Sequence, residues 1–227
     1  MKRNLMLAPS MGCCDLFDFK NQVKFIDNHA DFLHIDIKDG NYVKTFGVGP
    51  DFMKVISTIV KKPMDAHLMI KHPQDYIEVC AESGASYITP HTDCIESDAF
   101  VTINKIIKLG CKAGIALNPS VPLETIRYYL HLLSKVTIMI VDAGYAGQKV
   151  IVQMFDKIRL LAKWREEYKL NFLIEADGSM NADVYYPLYK AGADIVVLGH
   201  PALWNKDKDI KKAWSIMKNE IKNALKN

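Results

Sequence analysis

The sequence predicts a single (β/α)8 barrel, in which eight parallel strands form a closed cylinder surrounded by helices. Short apolar runs alternate with longer segments of helical periodicity from one end of the chain to the other. No segment rich in Pro, Gly or Ser divides the chain, so we expect one domain over residues 1–227. The length of 227 residues suits such a barrel, which typically has about 250 residues.

Eight apolar runs have the length of strands rather than of helices. Strand alternating with helix requires a parallel sheet, because each crossover returns the chain to the same end of the sheet. Eight such units without interruption favour a closed barrel over an open doubly wound sheet. In chain order, the predicted strands are residues 5–10, 32–38, 64–69, 86–91, 112–118, 136–142, 172–177 and 194–199.

The intervening segments have apolar residues at three- and four-residue spacing, the period of a helix that packs on one face. Several of them end in glycine, as at Gly84, Gly110 and Gly192, and glycine readily adopts the left-handed conformation that ends many helices. The clearest helical segments are residues 17–29, 73–84, 99–110, 122–133 and 153–168.

Composition and charge argue against two classes of partner. The net charge of +3 is mild, and no basic cluster is interleaved with aromatic residues, so we expect no nucleic-acid partner. No apolar run reaches the length of a membrane span, so we expect no membrane partner. The N-terminal segment lacks the apolar core of a signal peptide, and the five cysteines show no paired spacing. These features predict a cytoplasmic protein with reduced thiols.

Four residues that can bind a metal stand at the ends of three predicted strands. His34 and Asp36 are two residues apart, so both point to the same side of their strand. His67 follows on the next strand, and Asp177 ends the seventh. Imidazoles and carboxylates together suit one divalent cation such as zinc, manganese, iron or cobalt. A metal flanked by two carboxylates can also move a proton on and off carbon, which predicts an enzyme.

Each of these residues alone has a simpler explanation. A single histidine near a strand end is more often a hydrogen-bonded structural residue, and a single aspartate often caps the following helix. The metal hypothesis therefore depends on the convergence of the strands. In (β/α)8 barrels the chemistry gathers at the C-terminal ends of the strands. Seven polar side chains stand at or near those ends, namely His34, Asp36, His67, His91, Asn118, Asp142 and Asp177.

Glycines in three consecutive loops indicate a phosphate site. Gly144–Gln148 follows the sixth strand, Gly178–Asn181 follows the seventh, and Gly199 ends the eighth. Barrels often bind phosphate with the loops after strands seven and eight. Glycine lets backbone N–H groups approach an oxyanion closely, and a helix N-terminus adds a favourable partial charge. The alternative is that these glycines only form tight turns.

Taken together, these motifs resemble the ribulose-phosphate 3-epimerase family over essentially the full chain. The matching segments are LAPS near the start, HIDIKDG, DAHLM, LNPSVP, VDAGYAGQ and EADGSMN. Within the family, the chain is most similar to members that act on D-allulose 6-phosphate. That closer likeness depends on HADFLHIDI, HPQDYI, RYYLH, KWRE, IEADGSMN and DIKKAWSIM.

The resemblance implies 3-epimerisation of a ketose phosphate through a cis-enediolate, without a redox cofactor. The first expected reaction converts D-allulose 6-phosphate to D-fructose 6-phosphate, and the alternative interconverts D-ribulose 5-phosphate and D-xylulose 5-phosphate. The metal would be bound by His34, Asp36, His67 and Asp177. Asp36 and Asp177 would also be the acid/base pair on opposite faces of the substrate. A homo-oligomer is also implied. Contacts with substrate or phosphate are implied for Ser10, Gly144, Gly147, Gln148, Gly178, Ser179, Gly199 and His200.

Three departures from the family pattern bear on substrate choice. Lys38 replaces the usual Met and shares a strand face with His34 and Asp36, so it is a candidate modulator of the reaction. Its ammonium would contact the enediolate, pair with an acid such as Asp39, or turn to solvent. His200–Pro201 replaces a Ser/Thr-Ser-like pair, and Pro201 has no N–H for a phosphate. Tyr42–Thr45 and Ala143 also differ from the usual residues.

Two rival functions remain in view. Asp36 and Lys38 match the beginning of the D-x-K-x-x-D signature of orotidine-phosphate-type decarboxylases, but Asn41 occupies the last position and breaks it. The second rival is a barrel that binds a sugar phosphate without catalysis. The presence of all four metal-binding residues and both proton-transfer carboxylates argues against it.

Overall fold

The computed structural model describes residues 4–145 and 147–226, and within them eight parallel strands alternate with helices. The sheet order is β1-β8-β7-β6-β5-β4-β3-β2, and a bridge between Ser10 and His34 joins the remaining edges of β1 and β2. The predicted (β/α)8 barrel is therefore confirmed. The strands are β1 (Met6–Pro9), β2 (Leu33–Lys38), β3 (Met64–Met69), β4 (Tyr87–Pro90), β5 (Lys112–Leu117), β6 (Lys135–Met139), β7 (Leu173–Asp177) and β8 (Ile195–Leu198).

Seven α-helices surround the strands in the described part of the chain, and short 3-10 turns complete several crossovers. Each longer helix buries one apolar face, as α1 does with Val23 and Ile26. No helix among the described residues has both the length and the hydropathy needed to cross a membrane. The helices are α1 (Phe19–His29), α2 (Pro50–Ser57), α3 (Ile77–Glu82), α4 (Ala99–Lys108), α5 (Met154–Glu167), α6 (Ala182–Ala191) and α7 (Ile210–Ala224).

The prediction of a single helix over residues 122–133 is wrong. Two short 3-10 helices, Leu123–Ile126 and Leu130–Leu132, occupy this crossover. Leu123, Ile126 and Tyr129 are buried at a spacing of three, which the three residues per turn of a 3-10 helix match directly. The apolar spacing therefore did not distinguish the two helix types. The end predicted for the sixth strand is also late, because β6 stops at Met139.

The barrel interior is layered. Phe32, Tyr87 and Ile195 belong to an apolar cluster at the N-terminal end of the strands. Nearer the C-terminal ends the buried side chains become polar, including Asp65 and His67 on β3. The outward-facing residues of the same strands join the main hydrophobic core between strands and helices. This segregation places the ionisable side chains in the central cavity and the apolar ones around it.

Candidate active site

All four predicted metal-binding side chains converge in the barrel. His34, Asp36, His67 and Asp177 each offer one ligand atom, and these atoms lie within 4.8 Å of one another. Asp36 Oδ1 is 3.2 Å from both His34 Nε2 and His67 Nδ1. Asp177 Oδ2 is 3.8 Å from His34 Nε2 and 3.6 Å from His67 Nδ1. Two imidazole nitrogens and two carboxylate oxygens at these separations form a donor set that fits one divalent transition metal.

Strand alternation and register explain this convergence. Ile35 and Ile37 face the core, so His34 and Asp36 point into the barrel. Asp36 pairs with His67 in the register of β2 and β3, which places the two side chains next to each other. Asp177 comes from β7, which is separated from β2 by β1 and β8. The two carboxylates therefore enter the cavity from different sides of the barrel.

Burial and the surrounding charges act differently on the pKa values of Asp36 and Asp177. Burial disfavours a charge on His34, but the charge and hydrogen bonding of Asp36, together with Asp65 and Glu175, outweigh burial and raise the pKa of His34 well above its ordinary value. Burial would raise the pKa of Asp36, yet the charge on His34 lowers it well below its ordinary value. Burial raises the pKa of Asp177, and the charge of Asp36 adds to this effect while that of His34 opposes it. The pKa values of the two carboxyl groups therefore shift in opposite directions.

Two of the four side chains, Asp36 and His67, also have an outer partner. Ser10 Oγ donates a hydrogen bond to Asp36 Oδ2 at 2.6 Å. His67 Nε2 is 2.9 Å from Nε2 of His91, whose pKa is lowered well below its ordinary value by burial and by the charge of His67. Such outer contacts orient metal ligands. Ser10 was predicted only as a substrate contact, and the supporting role of His91 was missed, although its position at a strand end was the available signal.

A cavity of about 420 Å³ opens above this cluster. Asp36 and Asp177 reach it, whereas His34 and His67 are fully buried beneath it. Gln148, predicted as a substrate contact, does not line the cavity. Its side-chain amide donates to the carbonyl oxygens of Asp142 and Tyr145 and so braces the loop after β6. The other predicted residues all line it, namely Ser10, Lys38, Gly144, Gly147, Gly178, Ser179, Gly199 and His200.

The glycines of the predicted phosphate loops are not equivalent. Gly144 and Gly178 have φ values of 94° and 115°, where a side chain is strained. A Cβ atom on Gly144 would lie 2.4 Å from Val43, and one on Gly178 would lie 2.4 Å from Val141. Turn geometry and packing thus require glycine at both positions without any ligand. Gly199 has a φ of −84° and open space around its missing Cβ, so neither turn geometry nor packing requires glycine there.

The loop after β2, which departs from the family pattern, is hydrogen-bonded to the loops after β4, β5 and β6. Tyr42 Oη donates to Asp93 at 3.0 Å and accepts a hydrogen bond from Asn118 Nδ2 at 2.6 Å. Thr45 Oγ1 donates to the carbonyl oxygen of Gly144 at 2.8 Å. Thr45 also lines the cavity, so a residue of the altered loop forms part of the cavity wall.

Lys38 lines the cavity at the C-terminal end of β2. Asp39, one of its expected partners, instead accepts backbone N–H groups from Asn41, Tyr42 and Lys71. Among the described residues, no ion pair involves the Lys38 ammonium. Its charge is therefore available to the cavity, next to the rim formed by Gly47.

Comparisons with known proteins identify a family for this chain. The family model described as the ribulose-phosphate 3 epimerase family matches residues 6–203. Ribulose-phosphate 3-epimerase from Synechocystis sp. is 35% identical over 201 residues, covering 88% of this chain and 87% of the relative. The enzyme of that name from Aquifex aeolicus is 35% identical over 205 residues, with coverage of 89% and 91%. That from Bacillus subtilis is 33% identical over 213 residues, with coverage of 93% and 97%.

Solved structures share the barrel at low sequence identity. A crystal structure of KGPDC from Streptococcus mutans has a TM-score of 0.71 and 14% identity, with 97% of this chain and 98% of that chain covered. Orotidine 5'-phosphate decarboxylase from Pyrococcus horikoshii has a TM-score of 0.66 and 15% identity, with coverage of 96% and 99%. At these identities the likeness shows the fold alone.

Proposed function

The chain belongs to the ribulose-phosphate 3-epimerase family, and on that premise we propose that it interconverts D-ribulose 5-phosphate and D-xylulose 5-phosphate. It is an isomerase that acts on a carbohydrate phosphate. The observation that carries the reaction is the approach of Asp36 and Asp177 to one histidine pair from different sides of the cavity. Two carboxylates so placed can serve the two faces of one carbon atom.

In this mechanism one carboxylate removes the C3 proton of the ketose, which the neighbouring C2 carbonyl makes acidic. The other carboxyl group returns a proton to C3 from the opposite face, so the configuration inverts and the two groups exchange protonation states. Ser10 orients Asp36 through its short hydrogen bond. A divalent cation bound by His34, Asp36, His67 and Asp177 would supply Lewis acidity that stabilises negative charge on the substrate oxygens. Zinc, manganese, iron and cobalt all suit these ligands.

The six-carbon substrate is a second candidate. The relatives described above carry the name ribulose-phosphate 3-epimerase, which favours the five-carbon pair over the expected D-allulose 6-phosphate. Against this, residues that depart from the family pattern line the cavity, including Lys38, Thr45 and Pro201. Changes at the substrate surface are what a change of sugar length requires. The family resemblance also supports a homo-oligomer as a proposal.

The substrates are distinguished by kcat/KM on D-ribulose 5-phosphate and D-allulose 6-phosphate, using enzyme stripped of metal and reloaded with one defined cation. We expect the five-carbon substrate to be preferred, and each turnover in D2O to place deuterium at C3. Preference for the six-carbon substrate would reverse the assignment. Binding of both without turnover would support the non-catalytic alternative. Release of CO2 from orotidine 5'-phosphate, assayed separately, would support the decarboxylase.

Replacing Lys38 with Met should lower kcat/KM about 10- to 100-fold and leave the Tm nearly unchanged. A hydrogen bond to a charged partner is worth about 1.5–3 kcal/mol, and the Lys38 ammonium has no competing ion pair among the described residues. The control is Lys108→Met, since Lys108 is an exposed residue of α4 and does not line the cavity. Unchanged turnover and metal affinity in Lys38→Met would dismiss a role for this lysine.

A further inference from the structure

A lysine is fully buried inside the barrel, one layer below the candidate metal centre. Lys135 is the first residue of β6, and its ammonium contacts Asp65 Oδ2 and lies 2.6 Å from Glu175 Oε1. Asp65 and Glu175 each precede a metal-binding residue of the same strand by two positions, so they share its inward face. Burial opposes the charge, but the two carboxylates outweigh burial and raise the pKa of Lys135. The buried group is therefore an ammonium ion.

Asp65, which pairs with Lys135, also lies beside the candidate metal ligand His34. Asp65 Oδ2 lies 3.1 Å from His34 Nδ1, although the N–H direction is not aimed straight at it. Asp65 Oδ1 accepts a hydrogen bond from Thr89 at 2.7 Å, and Glu175 Oε1 accepts one from Thr137 at 2.8 Å. Both carboxylates are thus held in place from two sides. A carboxylate beside Nδ1 favours the tautomer with the proton on Nδ1, which leaves the Nε2 lone pair facing the metal centre.

The same layer also has the composition of a second metal site. His34, Asp65 and Glu175 each offer an atom, and these atoms lie within 4.8 Å of one another. However, the Lys135 ammonium contacts both carboxylates and occupies the place that a cation would take between them. A second divalent ion would have to displace a buried positive charge. This lysine explains why the lower layer would hold no metal.

We infer that Lys135 is a positioning residue that acts as a built-in cation below the metal centre. It keeps Asp65 beside His34 Nδ1, presents His34 Nε2 to the metal and limits the barrel to one metal ion per chain. The inference depends on the proposed function, because it assumes that His34 is a metal ligand.

The test compares Lys135→Met with the unaltered enzyme in three measurements that do not depend on turnover. Zinc affinity is measured by competition with a chelator, zinc stoichiometry by elemental analysis, and the His34 tautomer by 15N NMR of the zinc-loaded protein. We expect the unaltered enzyme to bind one zinc ion per chain with His34 protonated on Nδ1. Lys135→Met should lose about 10- to 100-fold in zinc affinity, the usual cost of removing an outer partner, and show mixed tautomers.

Arg165→Met is the matched control. Arg165 forms an ion pair with Asp194 and donates to the carbonyl oxygen of Phe172 at 2.9 Å, and none of these three residues lines the central cavity. Removing this ion pair should lower the Tm and leave zinc affinity and the His34 tautomer unchanged. The comparison separates the loss of an ion pair from the loss of ligand positioning.

A folded Lys135→Met variant with zinc affinity within twofold of the unaltered enzyme and an unchanged tautomer would overturn the inference. Two zinc ions per chain in the unaltered enzyme would also overturn it. If Lys135→Met does not fold, the same measurements are made on Asp65→Asn, which keeps the side-chain shape and removes the charge beside His34 Nδ1. An unchanged zinc affinity in Asp65→Asn would reject the inference. Zinc binding without turnover of either sugar phosphate would instead reject the proposed function alone.

Discussion

Asp177→Asn is expected to reduce epimerisation by about 10³-fold or more, because general acid–base groups commonly contribute about 10²- to 10⁴-fold and an amide can neither take nor return the C3 proton. The carboxamide keeps the shape of the side chain and one oxygen ligand. Asp36 remains able to serve one face of the substrate. The variant should therefore still exchange the C3 proton of one epimer with solvent while failing to form the other epimer.

Two measurements check this result. The first is kcat of the metal-reloaded variant on the preferred sugar phosphate, and the second is deuterium incorporation at C3 of each epimer in D2O. Asp156→Asn is the control, since Asp156 is an exposed residue of α5 that pairs with Arg159. Near-normal epimerisation by Asp177→Asn, or equal loss of proton exchange from both epimers with metal content intact, would contradict the two-carboxylate mechanism.

The second large effect is expected for His67→Ala, which should weaken metal binding more than it impairs the chemistry. His67 Nδ1 lies 3.2 Å from Asp36 Oδ1 and 3.1 Å from His34 Nε2, in the middle of the ligand set. Loss of a direct ligand should cost at least the roughly 10- to 100-fold in affinity that loss of an outer partner costs. Activity at low metal concentration should then be almost absent and should rise as metal is added.

The experiment measures zinc affinity and the dependence of kcat on zinc concentration for His67→Ala. His131→Ala serves as the control because His131 lies exposed in the 3-10 helix Leu130–Leu132, away from the cavity lining. Chelation and reloading of the unaltered enzyme should abolish and restore turnover. Zinc affinity that does not change in His67→Ala would remove this residue from the ligand set.

Predictions from local sequence succeeded where neighbouring residues alone decide the structure. The strand bounds agree to within one residue at every position except the end of β6. The inward direction of His34 and Asp36 follows from alternation along a single strand. The predicted helix over 122–133 failed because its apolar spacing suits a 3-10 helix equally well.

The supporting layer below the metal centre was not predictable from local pattern. Lys135 precedes the predicted sixth strand and has no neighbouring acid in sequence, whereas Asp65 and Glu175 are 70 and 40 residues away. Only the register of β3, β6 and β7 across the closed barrel brings the three charges together. The orientation of Gln148 was equally unpredictable from local pattern. Its side-chain amide donates to carbonyl oxygens of its own loop instead of lining the cavity.

The sequence by itself therefore determined the element order, the barrel and the residues able to bind a metal, since these depend on hydrophobic periodicity and on the chemistry of single side chains. The tertiary structure decided which of those side chains meet, which glycines packing requires, and that a buried lysine balances two acids beneath the site. These properties depend on distances between strands that are far apart in the chain. Hydrophobic pattern does not encode such distances, because they arise only when the barrel closes.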